Sequence, residues 1–307
     1  MRVTFGKIFT LFLALATLFL TVKSFLGNIL DIDIPVILLT VFMVVLCTYL
    51  VIYNSILVYK YFRLSKYPEA LESLTMAFSQ IHFCNKELLS YDFSELDDDK
   101  IELVESKVIT NLIHSCNRLT EVFSLITGYK CSVSIKMIVE DSTNNNNNSV
   151  FTLARDNRSS GRNAPDTSQQ DHIKHSLLTN TDFNSIIVQE QKGISDFFIH
   201  NYLPFHKNYL NTSFEVYGHP KEINKVFPMN LIQYIVRWKN WPLPYKSTIV
   251  VPIKPRKFEI SGTRALGFIC VDSKKMGVFK TYYDKQLLYG FGDGIYNLIE
   301  KFLEIRN

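Results

Sequence analysis

A run of 26 residues without a charged side chain, Ile34–Tyr59, limits what this chain can fold into more than any other feature. As an α-helix the run would extend about 39 Å, which exceeds the roughly 30 Å hydrocarbon core of a bilayer. Lys60, Arg63 and Lys66 follow at once, as basic residues commonly do at the cytoplasmic membrane surface. The run therefore predicts a membrane-spanning helix.

A second uncharged apolar run, Ile8–Val22, lies between Lys7 and Lys23 and has 15 residues. Extended to Leu30 it becomes long enough to cross a bilayer, with the Lys23 stem reaching the interface. The alternative is a signal peptide, which also has a basic start and an apolar core. No small-residue cleavage site precedes the next apolar run, so the sequence favours a first membrane span.

The two runs together predict a transmembrane helical hairpin over residues 1–60, with a short turn at Asp31–Asp33. Two basic residues precede the first span and three follow the second, against one near the turn. By the positive-inside rule this distribution places both termini in the cytoplasm. The expected location is therefore the cell inner membrane, with a multi-pass topology.

The remaining chain predicts a connecting helix over residues 61–100, with Tyr61–Tyr91 helical, and a cytosolic domain over residues 101–307. In Ile101–Thr127 apolar residues recur at three- and four-residue steps, which predicts an amphipathic helix. Asp97–Lys100 brings negative charge to its N-terminus, and Gly128 is a suitable C-cap. The net charge of +4 is too small and dispersed to indicate nucleic-acid binding.

Four segments of the cytosolic domain predict strands. Lys130–Glu140 alternates apolar and smaller or polar residues, and Val150–Asp156 returns after a flexible tip that contains Asn144–Asn148. Ser247–Ile253 and Ala265–Val271 are nearly all apolar, which is typical of central strands covered on both faces. The predicted mobile loop Asn157–Asp171, the helix Leu231–Trp241 and the helix Lys285–Leu303 complete the order. The polar pair Asp272 and Ser273 is expected to turn the chain outward.

The stretch Tyr245–Phe279 resembles the C-terminal half of a GAF domain, a small-molecule-sensing fold related to PAS domains. The matching residues are Tyr245, Ser247, Ile249, Pro252, Ile253, Leu266, Gly267, Ile269, Val271 and Asp272. The resemblance covers about Leu103–Phe302 and implies an α/β (α+β) fold in which helices flank an antiparallel sheet. The asparagine-lysine-phenylalanine-aspartate-glutamate motif of cyclic-nucleotide-binding GAF domains has no clear match here.

The resemblance also implies a ligand pocket between the sheet and the segments that link its middle strands. The implied ligand-binding residues are Arg155, Phe183, Asn184, Phe198, Tyr202, Tyr245 and Ser247. The aromatic side chains would form apolar walls, while the polar ones would orient a ligand. Alternatively, the aromatics fill a solid core, Arg155 belongs to a solvated turn, and the polar residues of Asn180–Asn184 cap a helix.

Metal-binding and catalytic patterns are weak. His172 and His175 have a spacing that suits one helix face but are not accompanied by a Glu or a Cys, and a flexible loop precedes them, so no metal site is expected. The glycines of Gly290–Gly294 lie inside a helical pattern and indicate close helix packing rather than a phosphate loop. The five cysteines show no CxxC spacing and predict reduced, buried thiols.

We therefore expect a non-enzymatic, membrane-anchored sensor that binds a small-molecule or nucleotide ligand, or a protein partner, and relays the signal through the juxtamembrane helix. A protein partner or a homo-oligomer would carry the output. The alternative is a bacterial defence effector whose GAF-like domain gates a pore of assembled hairpins. A redox enzyme that uses Cys131 or Cys270 is a third reading.

Overall fold

The computed structural model describes residues 36–91, 97–139, 148–159, 175–191, 197–206, 208–220, 231–254 and 265–306, together with Thr17, Thr21 and Ser24. The chain divides into two compact units, Met1–Phe62 and Arg63–Asn307. The helices are α1 (Val36–Leu64), α2 (Tyr67–Leu88), α3 (Asp98–Thr127), α4 (Thr181–Gln191), α5 (Phe214–Tyr217), α6 (Leu231–Lys239) and α7 (Tyr283–Arg306). The strands are β1 (Cys131–Val139), β2 (Ser149–Arg155), β3 (His175–Ser176), β4 (Phe198–His200), β5 (Ser247–Ile253) and β6 (Gly267–Ser273).

The described part of the first unit is helical and carries apolar side chains on its surface. Val44, Val51 and Ile52 are all more than half exposed. Among the described residues, one stretch, Met43–Leu88, is long and apolar enough to cross a membrane by length and composition, and its apolar window is not buried. The stretch includes most of α1 and all of α2. Apart from Thr17, Thr21 and Ser24, the predicted first span lies outside the described residues, as does the turn at Asp31–Asp33.

Helices α1 and α2 are separated by a short turn, whereas the sequence predicted a single helix over Tyr61–Tyr91. That prediction is wrong, because α1 ends at Leu64 and α2 begins at Tyr67. Pro68 lies in the first turn of α2. Proline has no N–H to donate to the carbonyl four residues earlier, and its ring clashes with that carbonyl, so it fits a helix start better than a helix interior.

The second unit is built on one six-stranded sheet with the order β3-β2-β1-β6-β5-β4, in which every neighbouring pair is antiparallel. This antiparallel sheet with its flanking helices has the α+β architecture that the sequence predicted. The predicted strand Ser247–Ile253 is confirmed with its bounds. The expected outward turn at Asp272 and Ser273 is wrong, because both residues continue the ladder, with Ser273 paired to Cys131 and Ser247.

The helix ends follow the local sequence. Asp97 accepts a 2.9 Å hydrogen bond from the Lys100 N–H and caps α3, as the acidic run predicted. Gly128 ends the helix with a φ of 75°, a left-handed conformation that costs glycine little. In α7 two of the three glycines serve close packing, whereas Gly290 faces open space. A Cβ at Gly292 would lie 3.4 Å from Ile269 Cδ1, and one at Gly294 would lie 3.1 Å from Phe78 Cε1.

One face of the sheet forms the main core beneath α2, α3 and α7. Alternate residues of the central strands point into it, as the period of two requires. Its strand members include Val133, Ile135, Met137, Ile249, Val251, Ile253, Ile269 and Val271, and its helix members include Leu112, Phe123, Phe291, Leu298 and Phe302. The other face is covered by α4 and by the segments around β3 and α5, with smaller clusters centred on Phe268 and on Trp241.

Candidate functional site

The face of the sheet beneath α4 is polar at its centre. Strand register brings Arg155 opposite Ser134, and Ser134 opposite Cys270, so these three side chains share that face. One step along, Asp272 lies opposite Thr248 on β5. The strands that supply the main core with apolar residues therefore supply this face with hydroxyls and charges.

A cavity of about 40 Å³ opens over this polar face. Its lining residues are Ser134, Lys136, Arg155, His175, Asn180, Asp182, Phe183, Asn211, Ser213, Tyr217, Pro244, Tyr245, Thr248, Cys270 and Asp272. A buried water needs about 10–15 Å³ by the same kind of measure, so the space suits roughly three waters or a small polar group. The lining residues come from five strands, from two helices and from the loops between them, rather than from a single loop.

Lys136 brings an ammonium group into the interior of the domain. It lies on β1, is only 9% exposed, and donates a 2.9 Å hydrogen bond from Nζ to Thr152 Oγ1. Burial lowers the pKa of Lys136, and the neighbouring positive charge of Arg155 lowers it further. An ammonium has three protons to donate. Among the described residues Thr152 accepts one of them, which leaves donor capacity facing the cavity.

Asp182 brings a carboxyl group to the cavity from the first turn of α4 and is 5% exposed. Burial raises its pKa to about 7, and the charge of Asp272 contributes in the same direction. One of its oxygens accepts a 3.3 Å hydrogen bond from the Phe183 N–H. A carboxylate has about four acceptor sites, so most of the acceptor capacity of Asp182 is free for a ligand or water.

Arg155 and His175 complete the polar wall on the β2–β3 side. Arg155 Nε is buried and has no hydrogen-bond partner among the described residues. The pKa of His175 falls to about 3 because the ring is buried and lies near Lys136 and Arg155. His175 is therefore neutral at physiological pH, and its Nδ1 shares a short hydrogen bond with Thr212 Oγ1. Arg155 is the charged member of this pair that is available for an anion.

The opposite wall is held by a network of aromatic hydroxyls. Asn211 donates from Nδ2 to the hydroxyls of Tyr209 and Tyr245, at 3.0 and 3.1 Å. The Trp241 indole N–H donates a 2.7 Å hydrogen bond to the Tyr245 carbonyl. Burial raises the pKa of Tyr245 well above its usual value, so its hydroxyl stays protonated. The network fixes the Tyr245 ring at the cavity edge.

The sequence-predicted ligand residues separate into two groups. Arg155, Phe183 and Tyr245 line the cavity, and the remaining four do not. Asn184 donates to the Leu178 carbonyl. Phe198 packs in the apolar clusters beside the cavity, and the exposed Tyr202 has its hydroxyl near Gly277. The Ser247 hydroxyl lies within hydrogen-bonding distance of the carbonyls of Asn201 and Lys275, at 2.9 and 2.6 Å, and its one proton is shared between them, so it joins loops rather than facing the cavity.

Three of the four charged residues that line the cavity were missed or left ambiguous in the sequence. Lys136 was hidden inside an alternating strand, although the alternation puts it on the same face as Ser134. Asp272 was taken for a turn residue. Asp182 was considered for ligand binding and for helix capping alike, and the structure places it in the cavity lining. Period-two alternation across β1 was the signal that marked a polar face.

The cysteine and histidine patterns do not form a reactive centre in the described residues. All five cysteines are free, and Cys84, Cys116, Cys131 and Cys270 are buried as predicted, whereas Cys47 on α1 is only partly buried. Burial raises the pKa of Cys131 to about 12, which disfavours its thiolate. No group of three or more metal-binding side chains occurs among the residues described, and His172 lies outside them.

Comparison with known proteins gives likenesses of shape only. No family model matches the sequence, and no curated protein matches it. A type II free methionine-R-sulfoxide reductase from Thermoplasma acidophilum is similar with a TM-score of 0.37 and 15% identity, over 64% of this chain and 96% of that one. The GAF domain of an Acinetobacter phosphoenolpyruvate-protein phosphotransferase is similar with a TM-score of 0.36 and 11% identity, over 76% of this chain and 98% of that one. Likenesses at this level assign neither a ligand nor an activity to the chain.

Proposed function

We propose that the protein is a membrane-anchored sensor that binds a small polar ligand in the cavity beneath α4. The observation that carries the proposal is the unused hydrogen-bonding capacity of buried charged groups around one space. Arg155 Nε has no partner among the described residues, Lys136 donates one bond, and Asp182 accepts one. A buried charge without a hydrogen-bond partner lowers the stability of the fold. A ligand that supplies the missing partners would therefore be bound favourably.

A binding role accounts for these groups better than catalysis does. The cavity contains Cys270, but burial raises the pKa of this thiol, so a nucleophilic thiolate is disfavoured. The neutral His175 ring is bonded to Thr212, which makes it a wall of the site rather than a base poised toward the space. We therefore infer a ligand-binding module that is not an enzyme.

Membrane anchoring is supported by the exposed apolar surface of α1 and by the uncharged run that the helix contains. We propose that Ile8–Leu30 supplies a second span, so that residues 1–60 form a hairpin and both termini lie in the cytoplasm. A cytoplasm-active reporter fused after Asn307 should then be active, and one that needs export should be silent. Export activity of the C-terminal fusion would overturn the hairpin.

Helix α7 offers a physical route from the cavity side of the sheet to α2. It packs on β5, whose Thr248 lines the cavity, and also packs on α2. Gly292 brings the helix against Ile269, and the Phe291 and Phe78 rings lie 6.0 Å apart. We propose that ligand-dependent shifts of β5 reach α2, and through it the juxtamembrane segment, by this contact. A protein partner or a second copy of the chain would receive the signal.

Ligand binding can be tested by thermal unfolding of the full chain in detergent, with a panel of amino acids, carboxylates, nucleotides and sugars. A ligand present at 100 times its dissociation constant should stabilise the protein by about 2.7 kcal/mol. Lys136→Met should abolish the shift, whereas Lys274→Met, on an exposed lysine outside the cavity, should keep it. If no compound in the panel shifts unfolding of the wild-type protein, the sensor proposal is rejected.

A further inference from the structure

We propose that the ligand is a small zwitterion, a molecule that carries both a carboxylate and an ammonium group, such as a free amino acid. This inference deepens the proposed function and rests on it. The cavity separates its charges into a cationic side and an acidic side, and that separation is the feature a zwitterion complements. The carboxylate would lie against Arg155 and Lys136, and the ammonium against Asp182 and Asp272.

The separation of charge follows from the order of the strands. Lys136 and Arg155 lie on the neighbouring strands β1 and β2. Asp272 lies on β6, on the other side of β1, and Asp182 projects from α4. Ser134 and the neutral Cys270 lie between them on the same face. Because adjacent strands are about 4.8 Å apart, Arg155 and Asp272 start from backbones roughly 10 Å apart across the sheet.

Lys136 and Arg155 do not neutralise Asp182 directly. Among the described residues, neither Lys136 nor Arg155 forms an ion pair with Asp182, although all three line one small space. Lys136 is directed to Thr152, and Asp182 accepts from the backbone of Phe183. In a dry interior opposite charges at this density are normally paired. A dipolar ligand between them would pair each with a partner of the opposite sign.

Size and charge argue against a phosphate or a nucleotide. The lining contains two basic and two acidic side chains, so a group with two negative charges would meet repulsion from Asp182 and Asp272. A simple amine would leave Arg155 and Lys136 unpaired for the same reason. The space of about 40 Å³ suits a few heavy atoms, which is the size of a carboxylate together with an amino group. A longer side chain would extend through the cavity mouth.

The structure also supplies a reporter for binding. Trp241 donates to the carbonyl of Tyr245, and Tyr245 lines the cavity, so occupancy should change the indole emission. Trp241→Phe, which leaves Trp238 in place, identifies the origin of the signal. The full chain in detergent is titrated with the L-amino acids and with ω-amino acids such as γ-aminobutyrate. Matched titrations use acetate, ethylamine, inorganic phosphate and a nucleoside monophosphate at equal ionic strength.

At least one zwitterion should bind, and its single-charge analogues should bind about 10- to 100-fold more weakly, because a hydrogen bond to a charged group is lost. Asp182→Asn should weaken the zwitterion by a similar factor while leaving carboxylate binding unchanged. Lys136→Met should weaken both the zwitterion and the simple carboxylate. Unfolding temperatures of both variants show that each is folded when it is titrated.

Three results contradict the inference in different ways. If acetate binds as tightly as every amino acid, or if Asp182→Asn leaves amino-acid affinity unchanged, the ammonium subsite is wrong. If phosphate or the nucleotide binds and the amino acids do not, the zwitterion inference is rejected, but the proposal that the cavity binds a ligand is kept. If no probe binds and the wider metabolite panel is also silent, the inference and the proposed function are rejected together.

Discussion

The two faces of the sheet are built from the same strands and have opposite characters. On the face beneath α3 and α7, side chains such as Ile135, Ile269 and Phe291 are fully buried and pack against one another. On the face beneath α4, charged side chains such as Lys136 and Arg155 line the cavity instead of packing against one another. Alternation along each strand assigns every residue to one face or the other.

This difference indicates that one face of the sheet stabilises the fold and that the other is suited to binding. The apolar face gains free energy from burial and close packing, which fix the fold. The polar face gives up part of that gain by burying charged groups whose hydrogen-bonding capacity is only partly used. Buried polar groups that cost stability are typical of sites maintained for binding. Truncation of a buried apolar side chain should therefore lower stability, whereas neutralising a buried carboxyl group on the polar face should raise it.

The largest expected effect is on the apolar face. Phe291→Ala removes a fully buried ring that contacts Phe78, and it should lower the free energy of unfolding by about 3–5 kcal/mol. The Phe183 ring stacks on Phe268, with the ring centroids 4.7 Å apart, and also lines the polar cavity. Phe183→Ala should therefore lower the free energy of unfolding by less, because water can enter the enlarged space. Denaturant titration of the full chain in detergent measures both values.

Tyr282→Ala is the control, since that ring is 70% exposed and should contribute little to stability. Equal losses for Phe291→Ala and Phe183→Ala would mean that the two faces are packed alike. The comparison drawn above would then fail, because the cavity would behave as ordinary core.

The next effect has the opposite sign and depends on pH. The pKa of Asp182 is raised from 3.8 to about 7 in the folded protein, so above pH 7 its ionised form opposes folding. The penalty is absent near pH 3, grows as the pH rises through the interval between those two values, and is complete near pH 8. Asp182→Asn should therefore stabilise the unliganded protein by about 2–4 kcal/mol at pH 8.

The comparison is made by measuring unfolding of the wild-type protein and of Asp182→Asn from pH 4 to pH 8. The gap between them should widen steadily toward pH 8. His175 supplies an internal check, because its pKa is lowered to about 3 and it costs stability as the pH falls below 6.5 in both proteins. A gap that stays constant with pH would show that Asp182 is not buried as a carboxyl group in solution.

Most of the apolar face was predictable from the sequence. The nearly uninterrupted apolar run Ser247–Ile253 predicted strand β5, and three- and four-residue spacing in Ile101–Thr127 predicted the helix that packs on β1 and β2. Both signals can be detected within one segment, because the side chains that a strand or helix buries recur at a spacing set by that element alone. The glycines of α7 were likewise assigned to close packing from their position inside a helical pattern.

The polar face was only partly predictable, because it depends on which strands become neighbours. Arg155, Phe183 and Tyr245 were identified from the family resemblance, but Lys136 and Asp272 were not. Each of the latter looks ordinary in its own segment, and they approach one another only because β1 pairs with β6. A single sequence carries little information on that pairing, since register is set by contacts between distant segments.

The break between α1 and α2 follows a local signal that the sequence interpretation did not use. Pro68 is a strong marker of a helix start, but the interpretation predicted one helix over Tyr61–Tyr91. Helix propensity is a small effect summed over many residues. A proline inside a helix, by contrast, removes one backbone hydrogen bond and clashes with the carbonyl four residues earlier. At this position the single steric effect decides where the chain turns.

The smallest expected effects test how closely the helices approach one another on the apolar face. Gly290 has open space where a Cβ would stand, so Gly290→Ala should stabilise α7 by about 0.5–1 kcal/mol through helix propensity. At Gly294 the same methyl group would lie 3.1 Å from the Phe78 ring, which has to move. Gly294→Ala should lose the gain, leaving the two variants about 1 kcal/mol apart.

Phe78→Leu identifies the cause of that difference, because the smaller side chain has no ring to meet the new methyl group. In a double-mutant cycle, Gly294→Ala should be better tolerated in the Phe78→Leu background than in the wild type, while Gly290→Ala should give the same gain in both. Thermal unfolding of the full chain resolves shifts of this size. If the coupling between Gly294 and Phe78 is zero, α7 and α2 do not approach as closely as the packing indicates, and the proposed route from β5 to α2 loses its contact.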